Sequence, residues 1–229
     1  MSDQFFREVE EAVRQDRYKK LWDQYGVYAL GAAALVVIGV AGYQGWNFWR
    51  DKQAQQAGTK FTQALGMAEE GGDTAEVAKA VGILNGLADK GPDGYRVLAR
   101  FQLAAAQAKA GEIDKAVADY DALAKDPSVD PILQGRAALE AAALRLDKAD
   151  YAEMTGRLKG LIDANSAWRF SARELLGLSA YRLKDMREAE RQFSALVGDQ
   201  GTPPNLRERA DMMLALIVGT PQALSSTQN

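Results

Sequence analysis

The chain has 229 residues, a formal net charge of −3 and a sequence pI near 5.2, with its Lys and Arg dispersed, so it lacks the clustered basic footprint of a nucleic-acid-binding protein. Cysteine and histidine are both absent, which excludes disulfides, thiolate nucleophiles, Cys/His metal sites, His-based triads and a lipid-anchoring cysteine. Any catalysis would rest on carboxylate, Lys, Tyr, Ser or Thr side chains, which are so common on helical surfaces that their presence signals nothing; no cofactor and no metal is expected.

The first stretch, QFFREVEEAVRQDRYKKLWDQYG, sets Phe5, Val9, Ala12, Val13 and Leu21 at helical spacing among charges. Two readings of residues 1–23 stand: an amphipathic helix under a membrane or against a partner, and a solvated tail.

Between Asp23 and Arg50 come 26 residues without formal charge, Gln24 to Trp49. As a helix rising ~1.5 Å per residue they reach ~39 Å, against ~30 Å of bilayer hydrocarbon. Trp22 and Tyr25 at one end, and Tyr43, Trp46, Phe48 and Trp49 at the other, suit the lipid–water boundary. The expectation is a transmembrane helix over 24–49 with Trp22, Tyr25, Tyr43, Trp46 and Trp49 as interface anchors. Gly39 and Ala41 offer small residues for a signal-peptide cut. The charged region ahead is too long for a signal peptide, however, and the apolar run continues into aromatic residues, so the segment reads as retained. Ala29 with Ala33, and Ala41 with Gly45, are either contact points for a second membrane helix or ordinary bilayer filler. Arg14, Arg17, Lys19 and Lys20 before the segment slightly outweigh Arg50, Lys52 and Lys60 after it. That bias sets the amino terminus in the cytoplasm and the remainder outside, in the periplasm of a bacterium, held at the inner membrane.

Residues 50–218 are dense in Ala, Leu, Lys, Glu and Arg, with almost no alternating β-branched runs, so the class is all-α. Turn signals divide them evenly: EEGGD, KGPDG, KAGEID, KDPSVDP, LDKADY, DANSAW, LKDMRE and GDQGTPP. Superposing Ile113, Ala116, Tyr120 and Leu123 on Met186, Ala189, Phe193 and Leu196 gives a match 73 residues apart, about two units of 36. Tyr151, Met154, Leu158 and Leu161 fill the unit between, and Val77, Ala80, Leu84 and Leu87 the unit before. Leu103-Ala104, Ala141-Ala142 and Leu176-Gly177 recur ahead of these in preceding helices. A small residue in the first helix, with a small residue and an aromatic four apart in the second, lets two helices cross closely while the ring fills the gap. This spacing resembles the tetratricopeptide repeat (TPR). Leu176, Gly177, Ala189 and Phe193 fit it best, then Ala104, Gly111, Ala116 and Tyr120; the first and third units are degenerate, Met154 standing where Ala is usual. About four degenerate helix pairs in a TPR-like α-solenoid are expected, with NLRERADMMLALI at 205–217 as a capping helix over the last apolar face and a polar tail at 219–229.

A charged amphipathic amino terminus, KKLWDQYG, a membrane helix ending in GWNFWRDKQAQQA and a degenerate TPR-like domain together resemble the YfgM-like family of inner-membrane proteins. The resemblance implies a periplasmic TPR-like domain that accompanies the SecYEG translocon and the membrane chaperone PpiD and assists newly translocated chains, without being an enzyme.

Repeat register places Phe101, Lys109, Arg136, Leu139, Leu146, Glu174 and Tyr181 on the concave surface of first helices, a mixture suited to an extended or helical peptide. The Asn of carboxylate-binding TPR grooves is missing at the matching positions, Ala105, Ala143 and Leu178. The paired acids Asp119/Asp121 and Glu188/Glu190 are the only handle for a carboxylate-based hydrolase, but a spacing of two sets them on different helix faces, so they read as solvated. A third reading keeps the scaffold and gives it another envelope process, such as division or complex assembly. Partners are expected to be proteins and, through one helix, the membrane; neither nucleic acid nor a small-molecule substrate is expected.

Overall fold

The computed structural model describes residues 2–69, 74–163 and 166–219, and every regular element among them is a helix. These are α1 (Ser2–Glu69), α2 (Thr74–Lys90), α3 (Asp93–Lys109), α4 (Ile113–Lys125), α5 (Pro131–Arg145), α6 (Tyr151–Leu158) followed by a 3₁₀ turn (Lys159–Leu161), α7 (Arg169–Arg182), α8 (Met186–Gly198) and α9 (Pro204–Val218). The chain divides into two compact units, residues 1–56 and 57–229.

The first unit is the larger part of α1. The side chains of Phe5, Val9, Ala12, Val13 and Leu21, which carry the expected amphipathic face, lie outside the described residues. The described part of the apolar segment presents its side chains outward, with Val27 80% and Ile38 67% exposed. Among the described residues no helix is long and apolar enough to cross a membrane. The expected span includes residues 26, 29 and 33, whose side chains, and with them the Ala29–Ala33 pair, lie outside the description.

The second unit is built of helix pairs. Residues 57–69 of α1 serve as the first helix of the first pair, packing Ala57 and Ala64 with Ala80, Leu84 and Leu87 of α2 and Ala99 of α3. Gly58 permits the approach of Tyr95, since a Cβ there would stand 2.6 Å from the phenol oxygen. The pairs α3/α4, α5/α6 and α7/α8 follow, and α9 packs on both α7 and α8. The core is alanine-rich where helices cross, with Ala104, Ala116, Ala141, Ala142, Ala172, Ala180 and Ala189 all fully buried. Small side chains bring backbones close, and Tyr120, Phe170 and Phe193 fill the space left beside them.

The turns follow the residues that signalled them. Asp130, Asp150 and Asp185 cap α5, α6 and α8, accepting from the backbone N–H of Ile132, Glu153 and Glu188 at 2.8, 2.7 and 3.1 Å. The α3–α4 and α7–α8 turns are the same motif. Gly111 (φ 82°) and Lys184 (φ 66°) take the left-handed position, and Glu112 N–H to Gln107 O and Asp185 N–H to Ala180 O, at 2.9 and 3.0 Å, close the wider ring. The third pair is degenerate in structure as in sequence: α6 has eight residues and gives way to the 3₁₀ turn, with Met154 buried in the alanine position. The breaks EEGGD and DANSAW include residues 70–73 and 164–165, outside the described set.

Candidate functional site

Helix α7 packs against both α5 and α9, whereas each of α4, α6 and α8 packs on the first helix before it and the first helix after it. In solenoids of paired helices the first-helix side forms the inner, concave surface.

On the outer side, polar bridges span the wider gaps. Arg157 of α6 donates through Nη1 to both carboxylate oxygens of Asp121 in α4, at 2.8 and 3.0 Å, and through Nε to Glu153 at 3.0 Å. Arg145 of α5 holds the other side of Glu153 at 3.0 and 3.2 Å. Hydrogen bonds from the two guanidiniums keep the Glu153 carboxyl below its ordinary value. Asp121, Glu153 and Arg157 border an open cleft of about 430 Å³ lined also by Ala124, Ala138 and Gly156. Between α6 and α8, the Tyr151 hydroxyl donates to Glu188, which also accepts from Arg191 at 2.7 Å and from Gln192 at 2.8 Å. That donor set, led by Arg191, lowers the Glu188 carboxyl to about 2, and burial raises the Tyr151 phenol. Asp121 and Glu188, expected as solvated acids, are thus tied into bridges between repeats.

The predicted surface residues lie on the first helices α3, α5 and α7 or, for Leu146, at the end of α5, and most of them also pack. Phe101 is half-buried with its ring 5.7 Å from that of Tyr120. Leu139 and Leu146 lean on the cluster of Ala142, Met154 and Leu158, and Tyr181 on that of Phe193 and Leu196. Lys109 is exposed in the last turn of α3. Arg136 is exposed, donates to Glu140 at 2.7 Å and lies 5.7 Å from the Trp168 ring centroid. Glu174 is held by Arg209 of α9 through a two-point bridge at 2.6 and 2.9 Å. The first-helix side thus shows partly covered rings and leucines, with Lys109 exposed and Arg136 paired to Glu140. Of the three positions that lack Asn, Ala143 is exposed and Ala105 and Leu178 are half-buried.

Sequence reasoning missed Trp168, Glu140 and Arg209. Trp168 sits before α7 and donates its indole N–H to the Ile132 carbonyl at 2.9 Å, over Gly135, where a Cβ would stand 2.4 Å from Cδ1. The gap between α5 and α7 is closed by this ring, and the one sequence signal is Gly135 within a helix otherwise free of glycine. Among the described residues no group of three or more acidic residues could hold a metal ion.

In the first unit, the five predicted interface aromatics are all exposed: Trp22 61%, Tyr25 54%, Tyr43 70%, Trp46 60% and Trp49 53%. Trp46 and Trp49 have ring centroids 5.5 Å apart.

A row of paired helices with small residues at the crossings and an inner face made by first helices defines an α-solenoid of the protein-binding kind. The chain belongs to the tetratricopeptide repeat-like domain family, which it matches over residues 19–202. The matched span includes the apolar segment of α1 and ends before α9. Comparison with curated proteins and with solved structures finds no significant match. Repeat domains of this class act as surfaces for protein partners, so the second unit is a protein-interaction scaffold in class.

Proposed function

We propose that this chain is a membrane-anchored, non-enzymatic interaction module, with the apolar segment of α1 in the bilayer and the TPR-like unit presented in the periplasm to protein clients. The observation that carries the reading is the run of exposed large apolar side chains on α1. Val27, Tyr28, Leu30, Leu35, Val36, Val37, Ile38 and Val40 are 55–80% exposed, in a segment that the family match includes. A soluble helix places such residues against a core, whereas in a bilayer they are solvated by lipid. The aromatic residues at both ends support the same placement.

The resemblance to YfgM-like proteins supports a finer reading: an ancillary subunit beside SecYEG and a PpiD-like chaperone, receiving chains as they emerge. The first-helix side suits this work, since partly covered Phe101, Leu139, Leu146 and Tyr181 beside exposed Lys109 accept unfolded segments without demanding one sequence.

Photo-crosslinking from Lys109 and Arg136 in intact membranes, followed by mass spectrometry, tests it. Translocon components and newly exported chains are the expected products, and division or assembly proteins in their place would overturn the assignment. A reporter fused after Asn229 tests topology separately, since activity confined to the cytoplasm would sink the periplasmic placement.

A further inference from the structure

Helix α9 occupies the place of a first helix in the repeat, and no described helix pairs with it as a second. It packs on α7 and α8 as α7 packs on α5 and α6, through Leu206, Ala210, Met213, Leu214 and Ile217. In the preceding pairs a second helix covers the first. On α9 no described helix does so, and Met212, Leu216 and Val218 remain 60%, 55% and 64% exposed. A solvent-facing surface of a repeat is normally polar. This one shows a stripe of Met212, Ala215 and Leu216 at helical spacing.

The charges beside the stripe are one-sided. Arg209 is neutralised by Glu174, and Arg207 is turned to the carbonyls of Asp199, Gln200 and Thr202 at 2.9, 3.3 and 3.3 Å. Glu208 and Asp211 are exposed and have no ion-pair partner among the described residues. A second copy of α9 would bring the same acids and no base, so the complement is a different protein. We propose that α9 docks an amphipathic helix of a partner protein, apolar on the face that meets Met212, Ala215 and Leu216 and basic where it meets Glu208 and Asp211. The inference rests on the scaffold reading but concerns a different surface, outside the family-matched residues.

The test uses the full chain in nanodiscs, with empty nanodiscs subtracted. The probes are two labelled helical peptides of about four turns, each with a Leu/Ala stripe, one flanked by lysines and the other by glutamates. The lysine peptide is expected to bind and the glutamate peptide to bind at least tenfold more weakly. Leu216→Glu, an exposed change that leaves the circular dichroism spectrum intact, is expected to weaken the lysine peptide about tenfold or more. Glu208→Lys with Asp211→Lys is expected to reverse the preference. Equal binding of the two peptides, or binding untouched by Leu216→Glu, overturns the proposal. So does a dimer in sedimentation that Leu216→Glu dissolves, which would make a second copy the occupant. Peptide binding lost in Lys109→Glu with Arg136→Glu but kept in Leu216→Glu would refute the α9 site and leave the inner-face scaffold standing.

Discussion

A methyl group on Gly177 would stand 2.8 Å from Cζ of Phe193 and 3.0 Å from both Cε atoms, so the α7/α8 crossing has no room for a side chain at that position. Gly177→Ala is expected to destabilise the second unit by about 1–3 kcal/mol through overpacking. Adding Phe193→Leu should recover part of the loss, and thermal melts of the two single variants and the double variant measure the coupling.

This crossing was legible in the sequence because close approach demands a small residue, and a small residue beside a ring at a fixed offset is a repeating pattern. The Asp caps of α5, α6 and α8 and the Gly111 turn were legible for the same reason, each being a local backbone requirement. The bridges between repeats were not. Arg157–Asp121, Trp168–Ile132, Tyr151–Glu188 and Glu174–Arg209 lie 36, 36, 37 and 35 residues apart, one repeat length in each case. The period was visible, but which side chains meet across it depends on the rise between pairs, and hence on packing. The outward stripe on α9 was hidden because an apolar closing helix and an apolar docking helix have the same residue pattern.

The Glu188 carboxyl titrates near 2 in the folded chain, below its ordinary value of 4.5, so the folded state binds fewer protons there than the unfolded state. Its contribution is complete above pH 4.5 and is lost as pH falls toward 2. Urea midpoints measured across that window should fall more steeply for the parent chain than for Glu188→Gln. Parallel curves would show that the Tyr151–Glu188–Arg191 contacts do not hold in solution.

Arg157 joins α4 to α6 through a planar fork that serves Asp121 and Glu153 together. Arg157→Ala is expected to cost about 1–2 kcal/mol, and Arg157→Lys to restore little of it, because an ammonium lacks the fork. Hydrogen exchange should localise the loss to α6 and the adjoining cleft; protection lost evenly over the unit would contradict this.

Lys184 holds a left-handed backbone conformation that Gly111 holds in the equivalent turn. Lys184→Gly is expected to stabilise the unit by about 0.5–1 kcal/mol, and Gly111→Ala to destabilise it by about 1 kcal/mol. Paired thermal melts check both signs.

On the membrane-anchored reading proposed above, Val36→Lys is expected to cost about 2.5–3.5 kcal/mol of insertion free energy. Alkaline extraction of membranes should release more of this variant than of the parent chain. Equal retention would argue that the segment is not in the hydrocarbon.

The four tryptophans are divided between the two units, Trp22, Trp46 and Trp49 open on α1 and Trp168 seated over Gly135. The chain therefore carries two built-in optical reporters that answer to different surroundings. Lipid-borne quenchers should reach the first three, and loosening of the α5–α7 contact should change the emission of the fourth. Replacing the three on α1 by phenylalanine leaves Trp168 as the single tryptophan, which reports on the α5–α7 contact from inside the repeats without any attached label.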